Sequence, residues 1–431
     1  MNYRFLIAAA VLWCFNSDAQ PSPARPGTDE RLTRQFYQQR QAVLAWSGNA
    51  KANTHAQQAL GVLLNAASEG LDPDSYRVFR EGEDRKANDA SLSKAVLTYM
   101  RDVSIGRPEL RSIDTDVGLP TRSPDFAAIL NEALRQDRVT EMLAGLSPKH
   151  AGYLALRDAL QQSGGNSDIV AANMERWRWI PPKLEPDRIM VNAADSQLEL
   201  WLDEKLILTS RVIVGRPSSR TPILRAEGAG ITLNPPWTVP RSIAAKEILP
   251  KLKRNHTWLA SHDMVLLDGP PGDPQGLGVN WKRIRAGTFP YQIRQYPGPR
   301  NPLGRIKLEL PNRFDVYLHD TPDKALFGRS NRHLSHGCVR VEQILPLASY
   351  VLAADLSAME RITKAIKNGD TTTISLQRKI PVYFLYWTAV PGPKGEMNYH
   401  SDVYGRDRRL IAAMRTEQLR IASVNAPCMK G

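Results

Sequence analysis

The sequence predicts an α+β chain in which a helical N-terminal scaffold part precedes a mainly β part carrying an inserted lid. Three observations predict it: apolar residues recur at helical spacing from Asp29 to about Leu160, the period changes to two beyond Leu184, and an irregular Pro- and Gly-rich segment interrupts that second pattern at about residues 244–300. At 431 residues the chain is long enough for two or three cores, so no disulfide or metal staple is needed for folding.

The first nineteen residues, "MNYRFLIAAAVLWCFNSDA", combine an early Arg4, an apolar run from Phe5 to Phe15 and the small residues Ser17 and Ala19. They read as a secretory signal cleaved before Gln20. The apolar run falls short of the roughly twenty residues that span a bilayer, and bulky Trp13 before Cys14 does not suit lipid attachment. No later segment is apolar enough to span.

Residues 20–168 are expected as the helical scaffold part. In "THAQQALGVLLNAASEGLDP" (54–73), Thr54 is the expected cap, Leu60, Leu63, Leu64 and Ala67 share one face, and Gly70 and Pro73 stop the helix. "SLSKAVLTYMRDVSIGR" (91–107) repeats the logic, with Leu92, Val96, Met100 and Val103 in register and Gly106 at the end. The polar "QSGGNSD" (162–168) marks the join, followed by the helical "IVAANMERWRWIPP" that stops at Pro181 and Pro182.

Residues 169–405 are expected as the β part. "RIMVNAADSQLELWLDEKLILTSRVIVG" (188–215) reads as three strands with turns at Ala194-Asp195-Ser196 and Asp203-Glu204; further strands are expected at 230–240, 305–310, 315–320 and 380–390. A weakly structured insertion as long as 244–300 inside a compact domain reads as a lid over a site. Residues 406–431 are expected as a tail that includes Cys428.

Fifty-seven basic against 44 acidic residues give a formal charge of +13, unchanged by removal of Arg4 and Asp18 with the signal. That suits an anionic partner: nucleic acid, an anionic membrane surface or the acidic bacterial wall. Export makes nucleic acid the poorest of the three. After removal of Cys14, Cys338 and Cys428 are too few for a disulfide scaffold, and a free Cys338 in an oxidising compartment calls for a chemical reason.

The chemistry concentrates in "HDTPDKALFGRSNRHLSHGCVRV", residues 319–341. His319, at the end of an expected strand, is a candidate base for the Cys338 thiol, and Pro322, Gly328 and "RSNR" supply the reversal between them. Gly337 gives the backbone freedom to aim N–H groups at a developing oxyanion, as acyl transfer requires. Two other readings stay open. His319, His333, His336 and Cys338 form a possible zinc set, although their spacing matches no standard ligand pattern, and the cysteine is also compatible with an inert core position. His333 reads as a bystander. His336 is open to three roles: second base, oxyanion or substrate contact, or plain loop residue.

The same stretch resembles the active-site signature of the L,D-transpeptidases, in which a histidine precedes Ser/Thr-His-Gly-Cys; here fifteen residues separate His319 from Ser335. "NMERWRWIP" (173–181), "NPPWTVPRSI" (234–243), "IRQYPGPRNPLGRIKLELPN" (293–312) and "VYLHDTP" (316–322) extend the resemblance to the large periplasmic members of Gram-negative bacteria, over roughly residues 170–405. It implies Cys338 as nucleophile, His319 as base and the Asp320 backbone carbonyl as the group orienting the ring. It further implies a site tyrosine at Tyr317, motif residues at Ser335, His336 and Arg340, and oxyanion N–H groups from Gly337 and Cys338. One departure stands out: the chain runs from "LQQSGGNSDIV" directly into "NMERWRW", without the three-helix peptidoglycan-binding module of large relatives. The insertion corresponds to their capping lid.

What the resemblance implies is transfer of an acyl group from a peptidoglycan tetrapeptide stem, with release of D-alanine, through a thioester to the amine of another stem, giving a 3→3 cross-link in the periplasm. No cofactor or metal is implied; the partners are stem peptides, with wall or scaffold proteins as further candidates. The same machinery serves an L,D-carboxypeptidase or a hydrolase releasing wall-bound proteins, and a non-catalytic wall-binding scaffold is the reading from another class. Arg340 is a candidate clamp for a stem carboxylate or a solvated arginine. Trp237, Trp258 and Trp281 fit a substrate groove, a lid lining or the core.

Overall fold

The computed structural model describes residues 28–424 apart from 79–81, 83, 163–166, 354–356 and 393. The signal-like residues 1–19, with Cys14, and Cys428 therefore lie outside the described residues, as do 163–166 of the expected join. The chain is α+β, with helices filling the first part and a large mixed sheet the second.

The Arg85–Ile105 helix runs through the core of the helical part. The Asp84 carboxylate accepts the N–H groups of Lys86 and Ala87 at its start, Leu92, Val96, Met100 and Val103 are buried as their spacing predicts, and Gly106 ends it at a positive φ. The Ala50–Leu64 helix departs from expectation. Its cap is Asn49, whose side chain accepts the Ala52 N–H at 2.8 Å, while Thr54 lies inside the helix and bonds back to the Ala50 carbonyl. The earlier start, and the use of small residues, put Ala52, His55, Ala59 and Leu63 on the buried stripe and leave Leu64 exposed.

The Ser167–Arg178 helix joins the two parts. From Val170 onward every residue is buried, an arrangement that charged side chains tolerate only when paired. Glu175 meets Arg107 of the helical part; Asn173 donates to Thr388 Oγ1 at 2.9 Å, and Arg176 meets Asp407 at 2.5 Å, both beyond the sheet.

The strands Arg188–Asn192, Gln197–Leu202 and Lys205–Gly215 form where alternation predicts them, with Ser196, Asp203 and Glu204 at positive φ in the two turns. The sheet continues from Lys205–Gly215 through Val339–Val341, Leu318–His319 and Ile306–Glu309 to Ile223–Leu233, then through Thr372–Leu385 back to Arg188–Asn192. The path therefore closes on itself, with Val191, Leu198, Val212, Leu308, Leu318 and Val339 turned into one core.

The insertion is better ordered than expected. A three-stranded sheet of Trp237–Thr238, Met264–Leu266 and Ile293–Gln295 and short helices between 241 and 261 surround a hydrophobic cluster that includes Ile248, Leu252, Leu259, Trp281 and Ile293. Pro- and Gly-rich connections obscure these short elements in the sequence. The expected tail is also corrected: Arg406–Val424 is a helix, fixed at its start because the buried Arg406 guanidinium is clamped by Asp114 and Asp116, both at 2.8 Å. Among the described residues no helix is long and apolar enough to cross a membrane.

Candidate active site

The site arises where the short strands Leu318–His319 and Val339–Val341 pair in parallel, Leu318 opposite Val339 and His319 opposite Arg340. Alternation sends Leu318, Val339 and Val341 into the core and turns Tyr317, His319, Cys338 and Arg340 to the other face. Cys338 lies one diagonal step from His319 on that face. The Tyr317 ring meets the His319 ring edge-on at 5.6 Å, with the Lys307 ammonium 4.5 Å from the tyrosine centroid.

His319 is buried, and its Nδ1 lies 2.5 Å from the Asp320 carbonyl, which fixes Nδ1–H as the donor and leaves Nε2 as a free-electron-pair acceptor. Burial, reinforced by the nearby Arg340 charge, pushes the imidazole pKa down to about 3. The ring is thus neutral near pH 7. Asp320 is itself held: its carboxylate accepts the Arg305 N–H at 2.8 Å and pairs with Lys324.

The Cys338 thiol donates to the Asp315 carbonyl at 3.5 Å. Burial pushes its pKa up, against the opposing effect of hydrogen bonds with Tyr317. At rest the thiol and the imidazole are consequently both neutral, rather than a preformed ion pair.

The loop that presents Cys338 is built by Ser335 and Gly337. Ser335 Oγ donates to the Cys338 carbonyl at 2.5 Å and accepts the Gly337 N–H at 3.1 Å. The Gly337 N–H is thus occupied inside the loop, whereas the Cys338 N–H has no partner among the described residues. Gly337 has φ 121°, a conformation that only glycine adopts readily, and its carbonyl accepts Thr221 Oγ1 at 2.8 Å. The buried Thr221 hydroxyl in turn accepts the Gly215 N–H at 2.9 Å, so the loop is bolted to the end of the Lys205–Gly215 strand.

The structure gives His336 a contact outside the three roles open to it, a link to the insertion. Its Nε2 lies 2.6 Å from Glu247, which also pairs with Arg216 at 3.3 Å. His333 Nε2 instead meets the Ala193 carbonyl at 2.9 Å, so the three histidines turn to three separate partners and do not converge with Cys338 as a ligand set. Arg340 stands 3.6 Å from Asp323 with its Nε buried and unpartnered. Trp237 packs on the insertion's own core, and no described contact joins it to Cys338 or His319. Sequence reasoning missed Asp315, Lys307, Thr221 and Glu247; of these only Lys307, alternating between Ile306 and Leu308, carried a readable signal.

In comparison with known proteins, residues 31–160 are similar to a scaffold domain and residues 186–374 to the L,D-transpeptidase catalytic domain. A Haemophilus influenzae protein named "Putative L,D-transpeptidase" is 35% identical over 244 residues, covering 57% of this chain. The matched stretch spans about half (49%) of that relative's length. Two solved structures, the Ldtfm–avibactam carbamoyl enzyme and the L,D-transpeptidase from Mycobacterium smegmatis, share 13% and 10% identity. They cover 47% and 46% of this chain and 50% and 58% of their own, with TM-scores of 0.22 and 0.21.

Proposed function

We propose that the chain, whose residues 186–374 match the L,D-transpeptidase catalytic domain, performs cysteine acyl transfer on peptidoglycan stem peptides. The observation that carries the reading is the single face shared by Cys338, Tyr317, His319 and Arg340, with a neutral imidazole whose Nε2 is free to take a proton. Cys338 Sγ attacks the carbonyl preceding the terminal D-alanine of a tetrapeptide stem as its proton passes to His319 Nε2. The tetrahedral oxyanion is stabilised by the Cys338 N–H. Collapse expels D-alanine, whose nitrogen takes that proton, and leaves a thioester; the side-chain amine of a second stem then attacks it to give a 3→3 cross-link.

Neutral reactants favour this coupling. The thiol is hard to ionise alone, so proton transfer accompanies attack and the thiolate does not accumulate in the oxidising compartment where peptidoglycan lies. Arg340, whose Nε lacks a partner, suits a stem carboxylate, and the insertion held at His336 by Glu247 suits exclusion of water that would hydrolyse the thioester. This reaction assigns the protein to the periplasm.

The test is incubation of the purified protein with disaccharide-tetrapeptide, followed by mass spectrometry. Cross-linked dimer with released D-alanine is expected, and neither should form with Cys338→Ala. Trimmed monomer alone would instead assign carboxypeptidase activity, and full activity in Cys338→Ala would remove the cysteine mechanism altogether.

A further inference from the structure

Arg107, Arg111 and Arg122 line a cleft of about 360 Å³ beside the end of the Ser167–Arg178 helix, together with Arg178, whose side chain is fully buried. Arg107 and Arg178 share one carboxylate, Glu175, at 3.4 and 3.1 Å. Arg111 and Arg122 have no carboxylate within ion-pair distance among the described residues. They are held by carbonyls alone: Arg111 by those of Leu119 and Pro120, Arg122 by those of Ser104 at 2.5 Å and Arg178 at 3.1 Å. Carbonyls orient a guanidinium but do not neutralise it. The acidic residue that also lines the cleft, Asp114, is engaged by Arg406 at 2.8 Å and Arg409 at 2.7 Å.

Two further features concern the charge packed around the cleft. Arg107 Nη2 and Arg178 Nε are buried without any hydrogen-bond partner, on side chains that are 9% and 0% exposed. Such donors are costly to leave unmade in a protein interior. Burial also depresses the Arg122 pKa, and the neighbouring Arg111 charge adds to the effect. A folded chain keeps such a cluster most readily when an anion completes it.

We infer that this cleft binds a phosphate-class oxyanion, either free phosphate or the phosphate of a small ester. Guanidinium groups match phosphate oxygens in paired, planar hydrogen bonds, and a doubly charged anion offsets the two arginines that lack a carboxylate. The volume leaves room for an esterified group beside the phosphate. This assignment does not depend on the chemistry at Cys338.

The experiment is isothermal titration of the full chain near neutral pH with inorganic phosphate and, separately, glycerol 3-phosphate, with chloride holding ionic strength constant. Saturable one-site binding is expected, weakened about tenfold or more in Arg111→Gln and in Arg122→Gln, and unchanged in Arg378→Gln, which replaces an exposed arginine elsewhere. Tighter binding of the ester than of phosphate assigns an ester ligand; the reverse assigns the free ion. Should Arg122→Gln fail to fold, Arg111→Gln carries the comparison. No saturable heat in the wild type, or wild-type affinity in Arg111→Gln, overturns the inference.

Discussion

Arg340 and His319 stand opposite each other in register on two parallel strands, and the guanidinium charge adds to burial in holding the imidazole pKa down near 3. The pH profile of Cys338 acylation is therefore expected to show no inflection near 6.5, the ordinary histidine value. Arg340→Ala should move one into the interval between about 3 and 6.5. Stability follows the same depression. Below 6.5 the unfolded chain takes up a proton that the folded chain refuses, so the contribution of His319 is complete above 6.5 and is lost as pH falls toward 3. Urea unfolding of wild type and Arg340→Ala across that range measures it; a wild-type inflection at 6.5 in the acylation profile would contradict the assignment.

Tyr317 restrains the thiol rather than the histidine. Its hydrogen bonding with Cys338 opposes the upward push of burial, so Tyr317→Phe should raise the thiol pKa further. A thiol pKa higher by one leaves about tenfold less thiolate near neutral pH. Iodoacetamide alkylation of Cys338 should accordingly slow by roughly threefold to tenfold, with the rate profile displaced to higher pH. An unchanged profile would assign Tyr317 to packing alone.

The Thr221 hydroxyl joins the Gly337 carbonyl to the Gly215 N–H in the interior. Thr221→Val keeps the shape and leaves both groups unsatisfied, which costs about 1–3 kcal/mol. A melting midpoint lower by several degrees is expected, together with a fall in kcat larger than any change in KM, because the loop carrying Cys338 loses its anchor. Gly337→Ala tests the same loop through its backbone: a side chain at φ 121° strains it by about 1–2 kcal/mol even though the nearest atom to an added Cβ, the Arg220 carbonyl oxygen, is 3.7 Å away.

Much of this was legible in the sequence, for definable reasons. The strands from Arg188 to Gly215 alternate over enough residues for the period to show, and the Arg85–Ile105 helix has large apolar residues on its buried stripe. His333–Ser335 and Val339–Val341 are three residues each, too short for a period, so their stretch read as loop. The Ala50–Leu64 face was misplaced because alanines, rather than leucines, supply it. Residues 406–431 read as a tail, yet Arg406 is buried by carboxylates some 290 positions away in the chain, a pairing that no local pattern encodes. At the site, His319, Ser335 and Cys338 were visible as residue types at a spacing. The occupation of the Gly337 N–H and the contact of Glu247 with His336 depend on tertiary placement and were not visible.

Glu247 connects the insertion to the cysteine loop through His336 and Arg216, and all three side chains are partly exposed. Such pairs contribute only about 0.2–1 kcal/mol each, so Glu247→Ala should barely move global stability. The insertion has its own hydrophobic core and does not need the contact to fold. The loss should instead appear in how often the insertion separates from the loop, since about 1 kcal/mol is roughly a fivefold change in such an equilibrium. Amide hydrogen exchange in the helix Leu249–Arg254 should quicken by about threefold to tenfold while the Arg85–Ile105 helix is unaffected. If the insertion also keeps water from the thioester, the same variant should yield more trimmed monomer and less cross-linked dimer at similar thiol acylation. Faster exchange without that change in product ratio would confine Glu247 to a mechanical role and place the exclusion of water elsewhere.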